Sequence, residues 1–116
     1  MSQENVEIIK AGIDAYNRGD WEAALGHMAS DFELDFSRAI GPLHGVYRLD
    51  QIGRFQEDMG SVWESIWLEA HEFIEVQDQV VVPWTMHVKG RDEIDVTARV
   101  TLTFTFRDGA IVGAVM

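Results

Sequence analysis

The chain has 116 residues, 47% of them hydrophobic and 25% charged, with a formal net charge of −11. That length fits one domain, 1–116, and the acidity disfavours nucleic acid and anionic membrane, whose phosphates are held by clustered Lys and Arg. There is no cysteine, which excludes disulfides, thiolate nucleophiles and Cys-based metal sites.

Residues 1–9 lack the basic flank and apolar run of a signal peptide. No apolar run approaches the ~20 residues that span a bilayer, so a cytoplasmic location is expected. Ser2 can cap a first helix, with Glu4 in its first turn. Val6, Ile9, Ile13 and Tyr16 recur at helical spacing, and Gly19 ends the helix. Asp20 caps a second helix whose apolar stripe is Trp21, Ala24, Leu25 and Met28. Phe32, Leu34 and Phe36 alternate with Glu33, Asp35 and Ser37 and predict a short strand. Arg38 to Arg48 contains Gly41, Pro42 and Gly45 and reads as a loop. A third helix carries Ile52, Phe55, Met59 and Val62.

From Ile66 the pattern is β. The expected strands are Ile66–Val76, Val80–Lys89, Ile94–Arg107 and Ala110–Val115, with turns at Gln77-Asp78-Gln79, Gly90-Arg91-Asp92 and Asp108-Gly109. Pro83 has no amide hydrogen, so a bulge or a non-donating site is expected there. The stretch from Ile94 to Arg107 alternates strictly. Ile94, Val96, Ala98, Val100, Leu102, Phe104 and Phe106 share one face, and Thr97, Arg99, Thr101, Thr103 and Thr105 share the other. At about 3.3 Å per residue this strand is roughly 40 Å long. Helices first and a four-strand antiparallel meander after them predict an α+β fold.

These elements, in this order, resemble the nuclear transport factor 2-like superfamily, and within it the SnoaL-like group. The residues that carry the resemblance are Tyr16-Asn17-Arg18-Gly19-Asp20, Asp31-Phe32-Glu33, Gly45-Val46-Tyr47-Arg48 and Arg107-Asp108-Gly109-Ala110-Ile111-Val112. The resemblance implies three N-terminal helices packed on a strongly curved antiparallel sheet, with a cone-shaped cavity between them. It also implies a homodimer through the convex face of the sheet. Relatives continue past the position of Met116, so an open cavity mouth is expected. The fold hosts cyclases, isomerases, hydrolases and non-enzymes alike and does not by itself give a function.

Carried onto this chain, the resemblance to ketosteroid isomerases puts their donor, base and acid positions on Gly12, Phe36 and Leu102. None of these can move a proton through its side chain. A slip of one residue would make Asp35 the base, with Tyr16 or His44 as its partner. The Arg-x-Asp of epoxide hydrolases occurs as Arg48-Leu49-Asp50, at the expected start of helix three. The last strand lacks the acid of SnoaL-type cyclases, and His87 reads as a surface or dimer-face residue. His27, His44, His71 and His87 are too dispersed for a metal site, and no cofactor is expected.

Phe36, Trp63, Trp84, Met86, Leu102 and Phe104 are read either as core or as the wall of an aromatic pocket. The first functional expectation is binding of a small apolar, cyclic or aromatic molecule. The alternatives are an acid–base enzyme using Asp35, and a structural dimer module without a ligand.

Overall fold

The computed structural model describes residues 2–39, 44–90 and 92–116, with only the backbone of Ser2, Met59 and Val62. Gly41 and Pro42 of the expected loop, Arg91 of the expected hairpin turn, and the Met59 and Val62 side chains lie outside the described residues. The elements run α1 (Ser2–Asn17), α2 (Trp21–Leu25), β1 (Met28–Phe36), β2 (Gly45–Arg48), α3 (Leu49–Val62), β3 (Trp63–Ala70), β4 (Ile74–Val76), β5 (Gln79–Gly90), β6 (Asp95–Arg107) and β7 (Ala110–Val115). The class is α+β, and the strands form one seven-stranded sheet in the order β2-β1-β7-β6-β5-β3, with β4 also on β5.

The corner between α1 and α2 follows from Gly19. Its φ of 78° is open to glycine without steric cost. It lets Gly19 N–H reach the Tyr16 carbonyl (3.0 Å) and Asp20 N–H reach the Ala15 carbonyl (2.9 Å). These bonds close the last helical turn. Asp20 then accepts from Ala23 N–H at 3.2 Å and starts α2.

The same corner aims Asn17 at the sheet. Its Nδ2 donates to the Leu68 carbonyl (2.9 Å), and its Oδ1 accepts from the Leu68 N–H (2.8 Å). Leu68 sits on β3, whose other edge pairs with β5. One side chain thus takes both backbone groups that the edge strand presents there.

Several expectations are corrected. Met28 belongs to β1, because α2 stops at Leu25 after little more than one turn. Gly45–Arg48, expected within a loop, is a strand paired with β1, as in Leu34 opposite Tyr47. The sheet is not a pure antiparallel meander, since β1 lies parallel to β7, with Leu34 opposite Ala114. The strand expected over Ile66–Val76 starts at Trp63 and is interrupted at residues 71–73. Pro83 explains the interruption. Its carbonyl accepts from His71 N–H at 3.0 Å, so the edge where its own N–H is missing faces the gap. On the other edge β5 and β6 pair through Pro83 and Thr101 without a shift.

The inner face of the sheet carries Val80, Val82, Trp84, Leu102, Phe104, Phe106, Ile111 and Ala114, with Phe32 and Phe36 of β1; Val6, Ile9 and Ile52 close it from the helices. β6 has 13 residues, and the molecule is 45 Å in its longest dimension. The strand starts at Asp95, one residue later than expected. Ile94 and Val96, expected on the buried face, are 55% and 41% exposed.

Asn17→Ala should lower stability by about 1–3 kcal/mol, the cost of leaving a shielded backbone pair unsatisfied. Asn17→Asp should cost as much, because the carboxylate faces the Leu68 carbonyl. Urea denaturation measures both. Leu102→Ala and Phe104→Ala should each cost about 2–5 kcal/mol, and the exposed Thr101→Ala well under 1 kcal/mol. Equal shifts for Leu102 and Thr101 would reverse the facing of β6.

Candidate functional site

Between the helices and the inner face of the sheet lies a cavity of about 200 Å³. Helix α1 gives it Ile9, Gly12, Ile13 and Tyr16, and α2 gives Trp21 and Ala24. The sheet gives it Phe36, Trp84, Met86, Leu102 and Phe104. Two of the helical lining residues, Gly12 and Ala24, are small. A methyl group added at Gly12 would meet only the Ala24 carbonyl, at 3.9 Å. Gly12 thus leaves room on the helical side of the wall.

The aromatic residues hold one another in place. Trp84 meets Phe104 edge-on with ring centres 6.2 Å apart, and Tyr16 meets Trp21 edge-on at 5.1 Å. Phe55 packs edge-on against Phe36 at 6.1 Å. Such contacts fix ring orientation beyond what area burial alone would do.

Few polar groups reach the wall. The Tyr16 hydroxyl and the Gln56 side chain lie within 3.3–3.5 Å of each other. Burial pushes the Tyr16 phenol above its ordinary range, and the hydrogen bond to Gln56 opposes this in part. His27, at the turn between α2 and β1, also lines the cavity and is exposed. Tyr16 and His27 are the titratable side chains of the wall among the described residues.

The residues singled out from sequence divide into two groups. Phe36, Trp84, Met86, Leu102, Phe104 and Tyr16 line the cavity. Trp63, Asp35 and His44 do not. Trp63 opposes Gly90 across the β3–β5 ladder, and its ring lies 3.5 Å from where a Gly90 Cβ would stand. Asp35 points away from the inner face that its neighbours Leu34 and Phe36 share, as period two requires. Hydrogen bonds from Ser37, side chain and then backbone, hold its carboxyl below the usual carboxylate range; the backbone N–H lies 2.9 Å from Oδ1. His44 is exposed, and its carbonyl accepts from the Tyr47 hydroxyl at 3.4 Å. Gly12, Phe36 and Leu102, where the resemblance puts the isomerase machinery, all stand in the wall. Arg48 and Asp50 form an exposed ion pair at 3.6 Å where α3 begins.

Sequence reading missed His27 and Gln56. His27 sits where a helix was expected to continue, so its facing was hidden by the misplaced boundary. Gln56 follows Phe55 on α3, and the spacing of Ile52 and Phe55 could have placed it beside the apolar stripe. Among the described residues no three metal-ligating side chains come together, and no helix is long and apolar enough to cross a membrane.

The outer face of the sheet is different in kind. Trp67 stacks on His87 with ring centres 4.1 Å apart and planes 8° off parallel, and His87 Nε2 lies 2.9 Å from Glu69 Oε1. That bond draws the Glu69 carboxyl below its ordinary range. Ile74, Val81, Thr103 and Val115 follow one another across four strands of this face.

The fold agrees with the comparisons to known proteins. A SnoaL-like domain matches residues 9–114, and the chain belongs to that family. Its architecture is the nuclear transport factor 2-like fold. The structure of TerC co-crystallised with polyporic acid is similar, with a TM-score of 0.86 and 27% identity over 96% of this chain and 88% of that one. A nuclear transport factor 2-like protein of unknown function from Burkholderia pseudomallei gives a TM-score of 0.84 at 22% identity, over 96% of this chain and 87% of that one. A protein with a ketosteroid isomerase-like fold from Catenulispora acidiphila, in complex with trimethylamine, gives 0.79 at 15% identity, over 93% and 82%. The last two show the fold alone. Among the curated proteins none matches the chain.

Because the Tyr16 phenol is raised in the folded state, the unfolded chain loses that proton first as pH rises. Tyr16 therefore contributes stability below about pH 10 that is lost on passing above it. Tyr16→Phe should flatten the alkaline fall of the melting temperature. An unchanged slope would place Tyr16 in contact with solvent.

Proposed function

We propose that the protein binds a small, uncharged ring compound in the cavity between its helices and its sheet. The observation that carries this reading is the wall itself. Ile13, Trp84, Leu102 and Phe104 surround a space of about 200 Å³, and the wall has almost no polar surface. Cavities lined this way favour apolar ligands fixed by few polar contacts. An engineered apolar cavity of about 150 Å³ stays dry and takes up benzene. By that measure this one suits a substituted single ring or two fused rings. The likeness to TerC, crystallised with polyporic acid, supports a small-molecule ligand.

Binding is favoured over acid–base catalysis. Gly12, Phe36 and Leu102 bring neither a base nor a donor to the wall, and Asp35 lies outside it. Proton transfer beside a carbonyl needs both a positioned base and donors at the developing oxyanion.

The test is a titration with naphthalene and with tetralin, followed by tryptophan fluorescence. Saturable quenching is expected, without turnover of an unsaturated ketosteroid. Gly12→Leu puts a side chain into the cavity and should weaken binding about tenfold or more, roughly 1.4 kcal/mol. Gly12→Ala should bind nearly as well and raise stability by about 0.5–1 kcal/mol through helix propensity. Equal binding by Gly12→Leu would place the ligand elsewhere.

We also infer that two copies pair through the outer face of the sheet. Ile74 and Val115 are 41% and 43% exposed at the two ends of the row that includes Val81 and Thr103. Two-fold dimers are the commonest soluble oligomers. Light scattering at micromolar concentration should give twice the chain mass, and Thr103→Arg should halve it without unfolding the protomer. A single-chain mass for the unaltered protein would end this reading.

A further inference from the structure

Tyr16 on α1 and Gln56 on α3 are 40 residues apart and half-buried, and both line the cavity. The contact between them therefore runs along its wall. The Tyr16 hydroxyl stands 3.5 Å from Gln56 Oε1 and 3.3 Å from Gln56 Nε2. Hydroxyl donors usually sit about 2.7–2.8 Å from an oxygen acceptor, and amide donors about 2.9–3.0 Å. The hydroxyl thus faces both ends of the amide and is close to neither.

Both side chains are flanked by anchored neighbours. Asn17, next to Tyr16, is tied to both backbone groups of Leu68, and Trp21 meets the Tyr16 ring edge-on at 5.1 Å. Phe55, next to Gln56, packs on Phe36 and Tyr47 with ring centres 6.1 and 4.7 Å away. A phenol hydroxyl can donate once and accept as well, and an amide has two N–H donors and an oxygen with two lone pairs. One long contact leaves most of that capacity unused, in a wall that is otherwise almost wholly apolar. Burial pushes the Tyr16 phenol above its ordinary range, and the bond to Gln56 offsets this only in part. At neutral pH the phenol therefore keeps its proton and can donate it.

We propose that this pair is the polar end of the cavity and takes a neutral hydroxyl carried on an apolar ring, the hydroxyl accepting from Tyr16 and donating to Gln56. This rests on the binding reading above and adds the group that orients the ligand. A hydroxyl accepts and donates at once, so it completes the chain from phenol to amide oxygen and leaves neither unpaired. A ketone oxygen only accepts. It would take the Tyr16 donor and leave Gln56 Oε1 with nothing in return. Tyr16 and Gln56 carry no charge, so nothing at this end offsets the desolvation of a carboxylate or an amine. A site that hydrogen-bonds its ligand discriminates against the analogue lacking the bond, because its own polar groups are then left unpaired.

The experiment uses three fused-ring probes of similar size, indane, 5-indanol and 1-indanone, with the unaltered protein, Tyr16→Phe and Gln56→Leu. Affinities and the Gln56 side-chain amide resonances are followed by two-dimensional NMR. Each substitution should cost 5-indanol about fivefold in affinity, the worth of one hydrogen bond between neutral partners. Neither should change indane by more than about twofold, since the apolar wall remains. For 1-indanone, Tyr16→Phe should weaken binding and Gln56→Leu should not. In the unaltered protein the Gln56 amide protons should move further downfield with 5-indanol than with indane, whose ring current is nearly the same. That comparison needs no variant, so it stands even if a substitution unsettles α1 or α3. A pair that only ties the two helices together would give equal losses for all three probes, or none, and the same Gln56 shifts with each. That result would overturn the proposal and leave the binding reading intact, as would a loss for 1-indanone on Gln56→Leu equal to that for 5-indanol. Failure of all three probes to bind the unaltered protein would defeat the binding reading, and this inference with it.

Discussion

The two hydrogen bonds between Asn17 and Leu68 hold the helical layer to the sheet. They join the end of α1 to an edge strand far along the chain. Everything inside the cavity depends on the separation they fix. A helix held nearer would drive Ile9 and Ile13 into Trp84 and Met86. A helix held farther off would open the core to water. Hydrophobic contact alone sets such a distance poorly, because it has no preferred direction. A side-chain amide bonded to both backbone groups of one residue sets it to within a few tenths of an ångström. The corner at Gly19 serves the same end, since it stops α1 where Asn17 can reach.

Once that distance is fixed, the cavity is a matter of side-chain volume. Interiors are packed to the density of organic crystals, and voids of this size are uncommon. Here Gly12 and Ala24 stand on the helices opposite Leu102, Phe104 and Trp84 on the sheet. Larger residues at the two helical positions would close the space and add dispersion contacts. Keeping them small forgoes stability that a filled core would give. That trade is intelligible if the space is used.

Much of this architecture was legible from local pattern. The alternation from Ile94 to Arg107 gave the long strand, and the inner facing of Leu102, Phe104 and Phe106 followed from it. Gly19-Asp20 gave the helical corner, because both residues act within one turn of themselves. What was not legible depends on partners distant in the chain. Gly45–Arg48 has no strong strand pattern and becomes a strand because β1 offers it an edge. The parallel pairing of β1 with β7 leaves no mark in either segment. Ile94 and Val96 obey the alternation and are exposed all the same, since alternation fixes the face and not what covers it. In the candidate site, Asp35 follows the period of two and stands outside the wall that its neighbour Phe36 lines. Trp63 failed as a wall residue because composition cannot say which tryptophan meets a void and which covers a glycine.

The parallel contact between β1 and β7 has a consequence for how the chain reaches this state on a ribosome. Leu34 pairs with Ala114, across most of the chain, and Phe32 and Phe36 find their cover beside it. The helices and β1 precede β7, the strand that seats β1 in the sheet, by most of the chain described. Until then the first half of the chain carries an apolar strand with one edge unpaired. Non-local pairings of this kind slow folding, because loop closure must precede their reward. The acidic surplus is well placed to keep the waiting segments apart from one another in that interval.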